Sequence, residues 1–195
     1  WIGRSEGLLI DFEIEGQPQN IQVFTTRPDT IYGVSFMTLA PEHHLVQQIT
    51  TDKHRSDVLS YLDTVSKKNE RERQSNVGNP TGVFTGAYAL NPMSNEKIPI
   101  WISEYVLHGY GTGAVMAVPA GDQRDYDFAK QFNVEIKNIF KGVSLETNAY
   151  VEKDVEYINS PKIEGLNYYE ATDVIMIILI RKKKAIKKVN FRLRD

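Results

Sequence analysis

The sequence predicts an α+β fold with a mixed or barrel-like β-sheet core and flanking helices. Two observations lead to this class: short β-prone runs outnumber the helical segments, and helices and strands do not alternate regularly along the chain. Because a doubly wound fold requires that alternation, the sequence argues against such a fold.

The individual elements follow from hydrophobic patterning and turn residues. Strands are predicted at 7–14, 20–25, 34–40, 83–88, 98–103, 114–118, 134–140 and 189–193, and a Gly-Gln-Pro-Gln turn joins the first two into a hairpin. Helices are predicted at 42–49, 55–73, 122–132 and 168–185. Asp122 is expected at the N-cap of the third helix. The last helix lacks a terminating glycine, so its end is left undefined.

Length and composition are typical of one well-buried domain. The 195 residues include no cysteine, which excludes disulfides and thiolate metal ligands and suits a reducing cytosol. The longest apolar run, 174–180, is far shorter than the roughly 20 residues of a membrane span. We therefore expect a soluble, cytoplasmic protein without a membrane partner. Because the chain opens on Trp1, we expect residues 1–195 to be one domain excised from a longer polypeptide.

The formal net charge of -2 conceals an uneven distribution. Residues 181–195 hold eight of the 23 basic residues and one of the 25 acidic residues, so the rest of the chain is acidic. An acidic body disfavours broad binding to a phosphate backbone, so a nucleic acid would be held by a short end. The basic tail is either a solvated linker or an RNA contact.

The first candidate site is the sequence TTRPDT, Thr25 to Thr30. It places three hydroxyls, a guanidinium and a carboxylate directly after a predicted strand. Pro28 fixes its own φ angle and restricts Arg27, so we expect a preset turn. Alone, this pattern also fits an ordinary turn whose side chains bond to their own backbone.

The second candidate site runs from His108 to Phe128. Its three alternating glycines, Gly109, Gly111 and Gly113, allow positive φ and close approach of another molecule. A short strand then leads to Asp122 and Asp125, which lie near one face of a helix start. One of these carboxylates is expected to cap the helix, which leaves the other for a cation or a water molecule.

Several classes of chemistry lack their sequence patterns. The glycine-rich segment has neither the Gly-Lys-Ser/Thr ending of a phosphate loop nor the dinucleotide-binding spacing. The four histidines, His43, His44, His54 and His108, form no HExxH pattern, so no metal site is predicted. The sequence also shows no GxSxG motif for a nucleophilic serine.

Taken together, TTRPDT and YGTGAVMAVPAGDQRDYDFA resemble the two signature stretches of leucyl-tRNA synthetase editing domains. Further similarity lies in WIGRSEG (1–7), TGVFTGAYALNP (81–92) and VNFRLRD (189–195), so the resemblance spans nearly the whole chain. Valyl and isoleucyl enzymes share the Thr-rich and GTG elements, but MAVP followed by DQRD favours the leucyl type. The resemblance implies the fold of these editing domains, with residues 1–7 and about 186–195 connecting to a synthetase body.

The resemblance also implies an activity. Such domains hydrolyse the ester of tRNA(Leu) mischarged with isoleucine, norvaline or methionine, because small apolar side chains differ by only about 1 to 3 kcal/mol in binding. The implied partners are the 3′-terminal adenosine of the tRNA and the rest of the synthetase in cis, in a monomer. No cofactor is expected in this domain, since ATP and Mg²⁺ belong to the separate synthetic site.

Roles for individual residues follow from the same resemblance. Asp125 pairs with the α-ammonium group, while Thr25 and Thr26 act near the scissile ester and the attacking water. Thr30 excludes leucine, and Arg27 offers charge to the tRNA end. The remaining residues implied in substrate binding are Tyr110, Gly111, Thr112, Gly113, Met116, Val118 and Asp122.

One departure from the family pattern concerns Gly121. The family carries His before the first Asp, whereas this chain reads Pro119-Ala120-Gly121-Asp122. The lost imidazole leaves open an alternative, in which the domain binds the tRNA 3′ end with impaired hydrolysis. An editing domain of a valyl or isoleucyl synthetase is the other alternative.

Overall fold

The computed structural model describes residues 2–193, which contain seven strands and five α-helices. The strands are β1 (Ile2–Ile14), β2 (Asn20–Thr25), β3 (Phe36–Leu39), β4 (Val83–Leu90), β5 (Lys97–Ile102), β6 (Ala114–Ala117) and β7 (Ala185–Leu193). The helices are α1 (Leu45–Ile49), α2 (Arg55–Ser66), α3 (Glu70–Ser75), α4 (Gln123–Phe132) and α5 (Tyr168–Arg181). Expectations that involve Trp1, Arg194 and Asp195 lie outside the described residues.

All seven strands belong to one mixed sheet. Its hydrogen-bonded order is β2-β1-β4-β5-β3-β6, with β7 paired to β1. Strands β3 and β5 are parallel, and the other pairs are antiparallel. The two end strands, β2 and β6, lie beside one another, so the sheet curls into a barrel with a seam between them. The predicted α+β class with a barrel-like sheet is confirmed.

The core follows the period of two expected of a half-buried strand. In β1, Leu8, Ile10, Phe12 and Ile14 are buried and alternate with more exposed residues. Helix α5 buries Ala171, Ile175 and Leu179, which recur every fourth residue on one face. This helix packs against the short 3₁₀ helix Pro28–Gly33, which belongs to the Thr-rich segment.

Two predicted elements are wrong. The single helix at 55–73 is interrupted at Ser66, because the Asn69 side chain and Glu72 form a capping box that begins α3. The predicted strand at 134–140 makes no ladder and contributes only an isolated bridge between Phe140 and Tyr157. Its apolar residues Ile139 and Phe140 are buried, so the β-like pattern reflects burial without a partner strand.

The first and last strands pair in a two-stranded ribbon. Strands β1 and β7 pair from Ile2 opposite Leu193 to Ile10 opposite Ala185, and β7 therefore starts earlier than predicted. Helix α5 ends four residues before the predicted boundary of 185, at Arg181. Lys183 supplies the left-handed residue (φ +57°) that the missing glycine would provide. Within the described residues, no helix is both long and apolar enough to cross a membrane.

Candidate active site

The Thr-rich turn, Thr25–Thr30, is held by its own hydrogen bonds at the end of β2. The Thr25 Oγ1 atom accepts from the Arg27 amide at 2.9 Å, and the Thr30 hydroxyl donates to the Arg27 carbonyl at 2.9 Å. Pro28 opens the 3₁₀ helix, where its fixed φ and missing N–H are both tolerated. The preset turn predicted from Pro28 is confirmed.

Arg27 is neutralised within this turn. Its Nη2 atom lies 2.9 Å from Oδ2 of Asp29, whose side chain is fully buried. The guanidinium also lies over the Tyr168 ring of α5, 5.2 Å from its centroid. Arg27 is thus fixed beside the site with its charge largely compensated, and a contact with tRNA stays a prediction.

The glycine-rich loop before β6 has the expected backbone. Gly109, Gly111 and Gly113 have φ angles of +109°, +60° and +69°, a region that residues with a Cβ rarely occupy. Tyr110, between them, is 47% exposed. The prediction of positive φ at these glycines is confirmed.

Asp122 and Asp125 have different environments at the start of α4. The Asp122 carboxylate accepts from the amides of Arg124 and Asp125 at 2.9 and 3.1 Å, so it caps the helix as predicted. Asp125 is 7% exposed. Its Oδ2 accepts from the Val118 amide and its Oδ1 from the Tyr105 hydroxyl, both at 2.9 Å. Of these two residues, Asp125 is therefore the buried carboxylate with a fixed orientation.

Burial, followed by the neighbouring charge of Asp122, raises the pKa of Asp125 to about 8. The bonds from Val118 and Tyr105 and the charge of Arg124 oppose this shift. A carboxylate that has lost its hydration without gaining an ion-pair partner is stabilised strongly by a bound cation. The site is therefore electrostatically suited to a positively charged ligand.

Two adjoining cavities open along the seam between β2 and β6. The first, of about 280 Å³, lies between the Thr-rich turn and β6, and the second, of about 480 Å³, extends toward the glycine-rich loop. Both are lined by Phe24, Thr25, Met116, Asp122 and Asp125. Asp125 thus lies at their junction.

The structure brings most of the predicted site residues together. Nine of the twelve line these cavities: Thr25, Thr26, Arg27, Thr30, Tyr110, Met116, Val118, Asp122 and Asp125. Gly111, Thr112 and Gly113 line neither one. Sequence reasoning missed Phe24, Gln74, Tyr105, Val106, Leu107, Val115 and Arg124. Phe24 adjoins the Thr-rich turn, and Val115 and Arg124 lie within the second candidate site, so their place in the sequence was the available signal for these three.

Gly121 lines the first cavity beside Asp122 and Asp125. A Cβ atom built there would lie 3.6 Å from the Phe140 ring and 3.8 Å from Val118, which are ordinary contact distances. The φ angle of Gly121 is not positive. Both the backbone and the surrounding space therefore accept a Cβ atom at this position.

The histidines near the glycine-rich loop form no metal centre. The rings of His43 and His44 stack at 4.5 Å, and burial, with the nearby His44 and His108, lowers the pKa of His43 to about 4. Over residues 2–193, no three His, Asp or Glu side chains are grouped so that they would hold a metal ion.

Comparisons with known proteins agree on one family. Residues 1–180 match the family model described as leucyl-tRNA synthetase, editing domain. The whole chain is 52% identical to a leucine--tRNA ligase of Christiangramia forsetii and 51% identical to one of Flavobacterium johnsoniae, covering 20% and 21% of their lengths. The chain thus spans about one fifth of these relatives.

A solved structure gives the same result at the level of the fold. The agnB2 LeuRS of Agrobacterium radiobacter K84, in a ternary complex with tRNA and LeuAMS, superimposes with a TM-score of 0.76 at 30% identity. The match covers all of this chain and 21% of the other. The leucyl type predicted from MAVP and DQRD is confirmed over the valyl and isoleucyl alternatives. The chain belongs to the family of leucyl-tRNA synthetase editing domains.

Proposed function

We propose that this domain hydrolyses the ester bond of tRNA(Leu) that carries a wrong amino acid, such as isoleucine, norvaline or methionine. The observation that carries the proposal is the buried, oriented Asp125 carboxylate at the junction of two cavities. An aminoacyl ester has an α-ammonium group between its side chain and its adenosine. A buried, oriented carboxylate at the junction matches that arrangement.

The first cavity receives the amino-acid side chain. Asp125 binds the α-ammonium group through a charge-assisted hydrogen bond and fixes the ester relative to the Thr-rich turn. Thr25 and Thr26 supply hydroxyls beside the ester and the attacking water. Thr30, Met116 and Val118 bound the space available to the side chain, and Thr30 excludes the branched end of leucine.

The second cavity receives the 3′-terminal adenosine. Tyr110 lines it next to the glycine-rich loop, where Gly111 and Gly113 let the backbone approach the nucleotide. Holding one nucleotide rather than a duplex is consistent with the acidic body of the chain. Gly111, Thr112 and Gly113 would then act through the shape of the loop.

The domain is proposed to work in cis within a monomeric, cytoplasmic synthetase. The presence of tRNA in the Agrobacterium radiobacter LeuRS complex supports tRNA as the partner. Within this domain we propose hydrolysis by water alone, since the reaction assigned to Asp125 and the threonines requires no cofactor. ATP and Mg²⁺ would serve the synthetic site elsewhere in the protein.

The test is deacylation by a full-length leucine--tRNA ligase that carries this domain. We expect hydrolysis of isoleucyl- and norvalyl-tRNA(Leu), survival of leucyl-tRNA(Leu), and loss of hydrolysis in Asp125→Ala. Asp127→Ala is the matched control, since it removes a carboxylate from the same helix, bonded only to Gln123. Intact mischarged tRNA with the unchanged protein would refute the proposed activity, and equal rates for Asp125→Ala would refute the role of Asp125.

A second candidate function rests on Gly121. Gly121 lies beside Asp125, where the family carries histidine. Without that imidazole, the domain would bind the tRNA 3′ end but hydrolyse the aminoacyl ester poorly. Since the position accepts a Cβ atom, Gly121→His should then raise the turnover of isoleucyl-tRNA(Leu) sharply with little change in binding. If turnover is unchanged, Gly121 does not limit hydrolysis and this candidate is rejected.

A further inference from the structure

Tyr105 contacts Asp125 from outside both sequence motifs. Its hydroxyl donates to Asp125 Oδ1 at 2.9 Å, and the Thr38 hydroxyl of β3 lies 3.5 Å from the Tyr105 hydroxyl oxygen. The Tyr105 ring lines the second cavity and meets Phe128 edge-on, with centroids 6.0 Å apart. The hydroxyl therefore reaches the proposed anchor from the nucleotide side of the site.

The backbone on both sides of Tyr105 is fixed by Arg73 of α3. Arg73 Nε donates to the Glu104 carbonyl at 3.0 Å, and its Nη2 donates to the Val106 carbonyl at 3.1 Å. The buried Glu104 carboxylate in turn accepts from Lys68 at 3.0 Å and from Thr81 at 2.8 Å. This network fixes the backbone that carries Tyr105, and the Phe128 ring packs against its side chain.

The two hydrogen bonds to Asp125 go to different oxygens of its carboxylate. Val118 bonds to Oδ2 and Tyr105 bonds to Oδ1, so the plane of the carboxylate is set by two donors from different elements. A carboxylate has about four acceptor sites, which leaves lone pairs on both oxygens for a ligand. Orientation and residual acceptor capacity are thus both present.

We propose that Tyr105 is a positioning residue that orients Asp125 and favours its ionised form, so that Asp125 binds the α-ammonium group of an aminoacyl-adenosine. The inference rests on the ligand assigned to Asp125 under the proposed function. Tyr105 itself need not touch the ammonium group; it acts through the carboxylate.

The groups around Asp125 determine how removal of the Tyr105 hydroxyl changes the pKa of Asp125. Burial and Asp122 raise the pKa of Asp125, whereas the Val118 amide, the Tyr105 hydroxyl and Arg124 lower it. Tyr105→Phe keeps the ring and removes one of the donors that stabilise the anion. The pKa of Asp125 should then rise further, which leaves less carboxylate to bind a cation at neutral pH.

The experiment measures binding of a hydrolysis-resistant amide analogue of isoleucyl-adenosine, and of the same analogue without its amino group, to the full-length synthetase by calorimetry. Tyr105→Phe should weaken binding of the amino analogue about tenfold near pH 7, with the deficit shrinking as pH rises above about 8. The amino group of the analogue titrates in the same way with every variant. The dissociation constant of the variant divided by that of the unchanged protein therefore reports the change in ionisation of Asp125. Binding of the analogue without the amino group should not weaken.

Tyr126→Phe is the matched control. Tyr126 follows Asp125 in α4, but its hydroxyl donates to the Leu145 carbonyl at 2.8 Å and does not contact the site. This variant should bind both analogues as the unchanged protein does at every pH. A loss of affinity in Tyr105→Phe that does not change with pH would overturn the proposal. An equal loss for both analogues, or an equal loss in Tyr126→Phe, would also overturn it.

The binding assay separates this proposal from the proposed activity. An unchanged protein that shows the expected binding pattern but does not deacylate tRNA would refute hydrolysis and support the role of Tyr105. Failure of the unchanged protein to bind the amino analogue would overturn both.

Discussion

The Tyr157 hydroxyl donates a hydrogen bond to the buried carboxylate of Asp29, although the two residues are 128 positions apart in the chain. The same carboxylate pairs with Arg27, so three residues form one buried network behind the Thr-rich turn. Burial, followed by the charge of Asp29, raises the pKa of Tyr157, which keeps its hydroxyl protonated as a donor. The segment after α4 therefore helps to hold the wall of the first cavity.

We expect Tyr157→Phe to lower the free energy of unfolding by about 1.5 to 3 kcal/mol, the usual range for a hydrogen bond to a charged group. The ring remains, so the loss isolates the bond to Asp29. Tyr150→Phe is the control, because its hydroxyl bonds at 3.2 Å to the Asp154 carbonyl on an exposed segment. Urea denaturation measures the free energy of unfolding of both variants. Equal losses would mean that the hydrogen bond from Tyr157 to Asp29 does not stabilise the domain.

The end of α5 yields a second stability prediction. Lys183 adopts φ +57°, and the amides of Lys183 and Lys184 bond to the Ile180 and Leu179 carbonyls, which is a Schellman ending. Because glycine adopts this conformation without the Cβ penalty, Lys183→Gly should stabilise the domain by about 0.5 to 1 kcal/mol. Lys182→Gly, at a right-handed position of the same turn, should destabilise it. Thermal unfolding that ranks the two variants in the opposite order would contradict this assignment.

The parts of the site that sequence reasoning anticipated are local in the chain. Pro28 restricts its neighbours, Asp122 caps the amides two and three residues later, and alternating glycines permit positive φ, so each conformation is encoded within a few residues. The Asn69 to Glu72 capping box is equally local and marks the break between α2 and α3. The predicted continuous helix overlooked it.

The parts that were missed depend on tertiary contacts. Tyr105 and Asp125 are 20 positions apart, and no spacing rule relates a residue after β5 to one in α4. For 134–140, β-propensity indicated burial correctly at Ile139 and Phe140, but propensity carries no information on whether a partner strand is available. The long-range contacts of Tyr105 and Tyr157 are therefore the features that required the structure.

The buried Asp125 predicts a stability that depends on pH. Its folded-state pKa of about 8 exceeds the ordinary pKa of 3.8 for an aspartate, so between these values the folded state retains a proton that the unfolded state releases. Stability is therefore lost as pH rises through this window, by up to about 1.4 kcal/mol per pH unit. Asp125→Asn, which never ionises, should become progressively more stable than the unchanged protein from about pH 4 to about pH 8.

Urea denaturation at a series of pH values measures the difference between these two proteins, in which the contributions of all other groups cancel. Asn can accept from the Val118 amide and donate to the Tyr105 oxygen, so the variant should retain the local packing. It should nevertheless fail to deacylate mischarged tRNA. A difference in stability that does not vary with pH would show that Asp125 remains ionised in the folded protein.

The last prediction concerns exclusion of leucine. Thr30 is buried in the wall of the first cavity, and its hydroxyl is tied to the Arg27 carbonyl at 2.9 Å, so the side chain cannot swing away from a ligand. Thr30→Ala enlarges the cavity and should make leucyl-tRNA(Leu) a substrate, with a gain of about 10- to 200-fold in its hydrolysis. Thr30→Val keeps the volume without the hydroxyl and should leave leucyl-tRNA(Leu) intact. If leucyl-tRNA(Leu) also survives with Thr30→Ala in the deacylation assay, the steric exclusion resides in another residue of the cavity wall.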